Sequence, residues 1–296
     1  MKIDGVFSGG GVKAYAFLGA LKSVEEYGHK FVRVAGTSAG AIVAAFIAAD
    51  YRWKELEQLL AELDLKKLLD KPAFSKYIPF SEWLFFYFQM GLYKGDKLEN
   101  WLYECLAKQN IYTFSDVKEG HLKVVASDLS LGKMVVIPDD LERIYGINPN
   151  YFSVAKAVRM SAGFPYFFMP KKIPGKTKHK SVMVDGGLLS NFPLWIFDNG
   201  DTTPKRPVLG MKLSANMQDY EPREIKNSFD MLSALFSTMK QAHDARYISK
   251  SQKNNIIFIP VEDVETVNFS IPEETKTRLM LSGRTSANQF LSNWPQ

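Results

Sequence analysis

Three short clusters in the 296-residue chain combine residue types and spacings suited to acyl transfer. The first is Gly36-Thr37-Ser38-Ala39-Gly40, which follows the apolar run Phe31 to Ala35 and leads into an Ala-rich stretch, 41–47. A Ser at the centre of G-x-S-x-G, on a tight turn from strand to helix, stands its hydroxyl clear of the sheet edge, and the flanking glycines spare the backbone a Cβ collision. The helix after it aims its first N–H groups at the same spot and favours negative charge there. The bare pentapeptide also describes an ordinary turn with a capping Ser; the strand before it and the helix after it supply the context of a nucleophile.

The second cluster, Gly9-Gly10-Gly11 with Val12 and Lys13, follows a short strand pattern at 2–8 and precedes a helical pattern at 14–27 with Phe17, Leu18, Leu21 and Val24 on one face. Three glycines leave their N–H groups unshielded, a cradle for an oxyanion or a phosphate. The neighbours argue against phosphate. Gly9-x-Gly11-x-x-Ala14 fits the dinucleotide pattern, but the next strand ends in Ala35-Gly36-Thr37-Ser38, without the acid that holds a ribose. A Walker loop needs Gly and Lys where the chain has Ala14 and Tyr15.

A hydroxyl is a weak nucleophile near neutrality and needs a base, together with donors for the oxyanion that forms. His29, His121, His179 and His243 are the histidines, and none ends a strand in the loop position of a hydrolase triad His. His243, inside a predicted helix, is the least unsuited. Asp185, in the third cluster, ends the apolar strand 181–185 and is followed at once by Gly186 and Gly187. Ligands bind at the carboxyl ends of strands in open α/β sheets. Asp-Gly-Gly also makes a plain turn, so Asp185 and His243 both stand as candidates.

The elements around these clusters alternate between strand and helix periods. Residues 52–70 read as an amphipathic helix with Leu56, Leu59, Leu60 and Leu63 as its stripe. The most aromatic stretch, 73–93, is too interrupted by Ser75, Lys76, Pro79, Ser81, Glu82 and Gln89 to span a bilayer. It reads as core packing of a cap, or as an acyl-chain pocket or interfacial surface. Then follow a helix at 94–106, a hairpin of 122–129 and 133–137, a helix at 153–160, a loop at 161–170 stiffened by Gly163, Pro165 and Pro170, and a Lys-rich loop at 171–180. Strands at 207–213 and 255–261, a helix at 228–250 and a last helix at 272–294 complete the chain. Without repeats or linkers, the parse is a single domain over 1–296 with an aromatic-rich helical cap or insertion around 52–110.

Composition bounds the function class. With 46% hydrophobic and 23% charged residues, the chain has material for a large core. Cys105 is the single cysteine, which excludes an intramolecular disulfide and a Cys-based metal cluster. The first residues hold no apolar run of signal-peptide length, so a cytoplasmic location is expected. The formal charge of +5 is spread along the chain, and no zinc finger, RNP motif or basic helix points to nucleic acid.

The order and spacing of Gly9-Gly10-Gly11-Val12-Lys13, Gly36-Thr37-Ser38-Ala39-Gly40 and Asp185-Gly186-Gly187 resemble the patatin-like phospholipase family. The likeness continues through Ser161-Ala162-Gly163-Phe164-Pro165, Asn191 and Pro193, over roughly the first two thirds of the chain. Met160 departs from it, where the family usually has Ala. The resemblance implies a three-layer α/β/α fold with a central, mostly parallel sheet, and a lipid acyl hydrolase acting on phospholipids or other acyl lipids. It implies Ser38 as nucleophile, Asp185 as base and the N–H groups of Gly9, Gly10 and Gly11 as oxyanion hole, with Lys13 holding the loop or supporting the oxyanion. Neither metal nor cofactor is implied, and the substrate class suggests peripheral membrane contact. A carboxylate with an ordinary pKa of about 4 is a poor base, but desolvation raises it and transfer concerted with attack needs only proximity. Two rivals remain: a Ser-His-Asp carboxylesterase or acyltransferase using His243, and a catalytically inert lipid-binding protein.

Overall fold

The computed structural model describes residues 1–71, 90–176, 178–197, 205–214, 224–226, 230–232, 234–239, 242, 253–261 and 268–294. Apolar runs closed by small or polar residues make the strands nearest the glycine clusters. β1 (Lys2–Phe7) ends before Ser8 with residues 3–7 all buried, and β2 (Lys30–Thr37) ends at Ser38. β3 (Gly91–Tyr93) is short. β4 (Leu122–Asp128) and β5 (Lys133–Ile137) form the expected hairpin, in which Gly132 takes φ 62° and the Asp128 carboxylate accepts the N–H groups of Ser130 and Leu131. β6 (Tyr166–Phe168), β7 (Lys171–Pro174), β8 (Lys180–Asp185), β9 (Val208–Ser214) and β10 (Ile256–Pro260) follow.

The main sheet has the order β10-β9-β1-β2-β4-β8-β7, with β5 also paired to β4, while β3 and β6 pair apart. The run from β10 to β4 is parallel; β5 and β8 are antiparallel to β4, and β7 is antiparallel to β8. This is the expected α/β fold with a mostly parallel central sheet flanked by helices. The helices are α1 (Tyr15–Glu26), α2 (Ala39–Ala48), α3 (Trp53–Ala61), α4 (Asp96–Ala107), α5 (Val154–Ser161) and α6 (Glu273–Leu291). Side chains alternate across the sheet. Ile3, Phe7 and Val34 join the main core with α1 and α2, whereas Val6 and Ala35 join a smaller cluster with Phe192, Phe197 and Ile256.

Glycines set the closest helix contact. A Cβ on Gly19 of α1 would fall on the Met280 carbonyl of α6, and one on Gly283 of α6 would fall on the Ala16 carbonyl of α1. The backbones therefore touch, and the last helix locks onto the first. Cys105 is buried in α4 as expected, and burial pushes its thiol up to about 11.

Several local expectations change. The helix read at 52–70 stops at Ala61, and a separate 3-10 turn, Leu65–Leu68, begins where the Asp64 carboxylate accepts the Lys66 N–H at 3.0 Å. The helix at 14–27 is preceded by a 3-10 turn, Gly11–Ala14, and starts at Tyr15. The loops at 161–170 and 171–180 contain β6 and β7, whose partners β3 and β8 complete them across the sheets. Most of the aromatic stretch, 73–89, lies outside the described residues, as does His243. Of the helix read at 228–250, the described positions 230–232, 234–239 and 242 are helical.

Candidate active site

The turn at Ser38 is built by its glycines. Ser38 itself takes φ 56° and ψ −125°, a strained conformation for a residue with a side chain, between the end of β2 and the start of α2. A Cβ on Gly36 would strike the Gly40 carbonyl, and one on Gly40 would strike the carbonyls of Phe7 and Ser8 at the end of β1. The pentapeptide thus folds back on itself and against the neighbouring strand, which forces the hydroxyl outward. Ser38 carbonyl oxygen accepts from the N–H groups of Ala41 and Ile42, and α2 begins directly behind it.

Asp185 meets this hydroxyl from the opposite direction along the sheet. It ends its strand, as expected, and that strand, β8, runs antiparallel to β4. Thr37 pairs with Val125 and Asp185 with Ala126, while β5 occupies the opposite edge of β4 at those positions. The carboxyl ends of β2 and β8 therefore abut head-on along one edge of β4. Ser38 Oγ donates to Asp185 Oδ2 at 2.7 Å, and Gly187 N–H donates to Oδ1 at 2.7 Å. Both residues are buried, Ser38 at 8% and Asp185 at 1% exposure, so little water competes for the bond. Gly186 is obligatory here, because a Cβ would land on the Val125 carbonyl.

The end of α5 holds both halves of the pair. Ser161 Oγ accepts the Ser38 N–H at 2.8 Å and donates to Val125 O at 2.6 Å, and Gly163 O accepts the Asp185 N–H at 2.9 Å. Thr37 Oγ1 donates to Ser190 O at 2.9 Å, tying the turn to the segment after Gly187. Reading the sequence finds the 161–165 segment but not the bridging role of the Ser161 hydroxyl. It also misses Arg159, a fully buried cation whose Nε donates to Gly95 O and whose Nη2 donates to the carbonyls of Lys94 and Met169. Burial lowers Arg159 to about 10, and its guanidinium stacks 4.8 Å from the Phe168 ring.

The glycine loop lies beside the pair but not all of its amides are available. Gly9 N–H donates to Asn191 O at 3.0 Å, and a Cβ on Gly9 would come within 3.1 Å of the Ser38 Cβ. No protein acceptor among the described residues takes the N–H of Gly10 or Gly11. Lys13 is half-buried in the same 3-10 turn. Gly11, Ser38 and Asp185 line one cavity of about 130 Å³ whose other walls are almost wholly apolar. Among the described residues no histidine bonds to Ser38; His29 Nδ1 lies 3.4 Å from the Met1 amine. No group of three or more His, Cys, Asp or Glu among the described residues is arranged to hold a metal ion.

Comparison with known proteins gives the family and the fold. The sequence matches the family described as patatin-like phospholipase over residues 5–198. It is 47% identical over 294 residues to YqhO of Bacillus subtilis (strain 168), an uncharacterized protein, with 99% of each chain covered. It is 27% identical over 205 residues to the cUMP-AMP-activated phospholipase of Escherichia coli, covering 66% of this chain and 57% of that one. In fold it is similar to VipD of Legionella pneumophila, with a TM-score of 0.59 at 20% identity over 99% of this chain and 67% of that one. With the glycine loop, the Ser38 turn and Asp185 gathered at one cavity, the chain belongs to the patatin-like phospholipase family.

Proposed function

We propose that the protein is a lipid acyl hydrolase that cleaves fatty acyl ester bonds of phospholipids through a Ser38 acyl-enzyme, with Asp185 as the base. The observation that carries this reading is the 2.7 Å bond from Ser38 Oγ to Asp185 Oδ2 at the head of an apolar cavity. Ser38 Oγ attacks the ester carbonyl carbon as its proton passes to Asp185 Oδ2. The carbonyl oxygen becomes an oxyanion against the N–H groups of Gly10 and Gly11, with the amino end of α2 adding favourable charge and Lys13 supporting the loop. Collapse breaks the ester bond, and the departing alcohol takes the proton from Asp185. Water then gives a proton to Asp185 and attacks the acyl-enzyme; the fatty acid leaves, and Ser38 recovers its proton.

The segment around 52–110 serves in this reading as the cap of the acyl site, supported by Leu56, Leu60 and Leu98 on the cavity wall. The substrate class brings the protein to a lipid surface. Among the described residues no helix is long and apolar enough to cross a membrane. Weaker partitioning onto vesicles after replacement of Trp83, Phe85 and Phe86 by Ser supports that contact, and equal partitioning counts against it.

The test is fatty acid release from mixed phospholipid vesicles by the wild type and by Asp185→Asn, checked to be folded. Loss of about two or more orders of magnitude is expected for removal of a catalytic base. An active wild type with a nearly unchanged variant places the base elsewhere, with His243 next in line. An inactive wild type whose Ser38 resists a fluorophosphonate favours the lipid-binding reading.

A further inference from the structure

We infer that the acyl cavity is closed at Phe46 and selects medium-chain acyl groups of about six to ten carbons; this rests on the acyl hydrolase reading above. Ala39, Ile42, Val43 and Phe46 of α2 all line the cavity, a helical period that lays the pocket along α2 away from Ser38. Eight residues separate Ser38 from Phe46, which at about 1.5 Å of rise per residue is roughly 12 Å. A zigzag chain with C–C bonds of about 1.5 Å advances roughly 1.3 Å per carbon, so about nine carbons reach the Phe46 ring. Volume sets the lower end of the range. The cavity of about 130 Å³ is slightly smaller than the roughly 150 Å³ that accommodates the six carbons of benzene in an apolar cavity.

The floor is packed against aromatic rings and has a polar far side. The Phe46 ring sits edge-to-face on Trp101 at 5.7 Å and on Tyr51 at 5.4 Å, and the Tyr51 hydroxyl is pinned to Cys105 O at 2.7 Å. Phe46 is 2% exposed. Trp101 lines the acyl cavity on one side and a separate groove with Lys97, Glu104 and Lys108 on the other. A chain longer than the pocket must either bend back or push its methyl end past Trp101 into that charged groove. Each carbon that fits gains apolar burial, and those beyond the floor gain none.

The experiment is kcat/KM for p-nitrophenyl esters of straight-chain acids from four to sixteen carbons in nonionic detergent micelles. The expected profile rises about fourfold per added carbon, then breaks level or falls at about eight to ten carbons. Phe46→Ala moves the break about three carbons longer, and Val43→Phe, which occupies existing space midway along α2, moves it about three carbons shorter. The second variant carries the test if emptying the core at Phe46 unfolds the protein. A wild-type profile that climbs through sixteen carbons, or a folded Val43→Phe with the break unmoved, overturns the inference. Those results leave the hydrolase reading standing. A wild type that turns over no ester and leaves Ser38 unlabelled by a fluorophosphonate removes both.

Discussion

Ser38 and Ser161 are joined through the backbone of one and the side chain of the other. The Ser38 N–H donates at 2.8 Å to Ser161 Oγ, which donates onward at 2.6 Å to Val125 O. One hydroxyl thereby satisfies an N–H and a carbonyl at the point where the ladder along β4 passes from β2 to β8. Without it, both groups sit buried at a break in the sheet.

Ser161→Ala is therefore expected to destabilise the fold by about 1–3 kcal/mol for each unpaired group. Acyl transfer should fall at least about tenfold, since the turn loses the bond that fixes its strained backbone. Urea unfolding and the rate of Ser38 labelling by a fluorophosphonate measure the two effects. A variant as stable and as reactive as the parent would remove Ser161 from the account.

Two glycines make a controlled comparison. A Cβ at Gly186 falls on the Val125 carbonyl, whereas Gly28, at φ 74°, has no atom within 4 Å of a Cβ. Gly28→Ala should cost only about 1–2 kcal/mol for its left-handed backbone. Gly186→Ala should fail to yield folded protein, because backbone must move. Thermal unfolding separates them, and similar melting temperatures would contradict the close approach.

Arg159→Lys is not a conservative change at a site where one planar group reaches three carbonyls. An ammonium cannot reproduce that fork, so at least one of the Gly95, Lys94 and Met169 carbonyls is left unpaired. The expected loss is more than about 2 kcal/mol, read as a lower denaturant midpoint. An unchanged midpoint would show that the fork is dispensable.

Full activity in His243→Ala is expected if Asp185 is the base. A fall of two or more orders of magnitude in a folded variant would instead revive a histidine triad.

Acid should weaken the fold through His29. Burial first, and the nearby amino terminus second, lower its pKa below the ordinary 6.5. The unfolded chain then binds more protons than the folded one just below that value, so stability is present above it and falls as pH drops through it. Denaturant midpoints measured from about pH 7.5 to 5.5 should decline, and the decline should shrink in His29→Gln. An identical slope in the variant would assign it to other groups.

What can be read from the chain depends on how local the cause is. Ser38 is legible because its strand, glycines and helix lie within about twenty residues of sequence. Asp185 is legible as a candidate but not in its direction, because a single strand does not reveal whether its neighbour is parallel. The Ser161 bridge spans 123 positions and leaves no periodic signal. Gly19 and Gly283 are the traces of the contact between α1 and α6, glycines at mid-helix that make sense only once Met280 and Ala16 are seen against them. The 3-10 turn after α3 follows from a single Asp64 carboxylate outcompeting an otherwise helical stripe.

The head-on meeting of β2 and β8 gives the pair a ruler. Ser38 and Asp185 stand 147 positions apart in the chain, yet the residues aligned with the ends of their strands, Val125 and Ala126, are consecutive on β4. Spacing between nucleophile and base is thus measured along one strand and is indifferent to the length of the turns that intervene. A one-residue slip of β8 along β4, by contrast, turns Asp185 to the opposite face of the sheet.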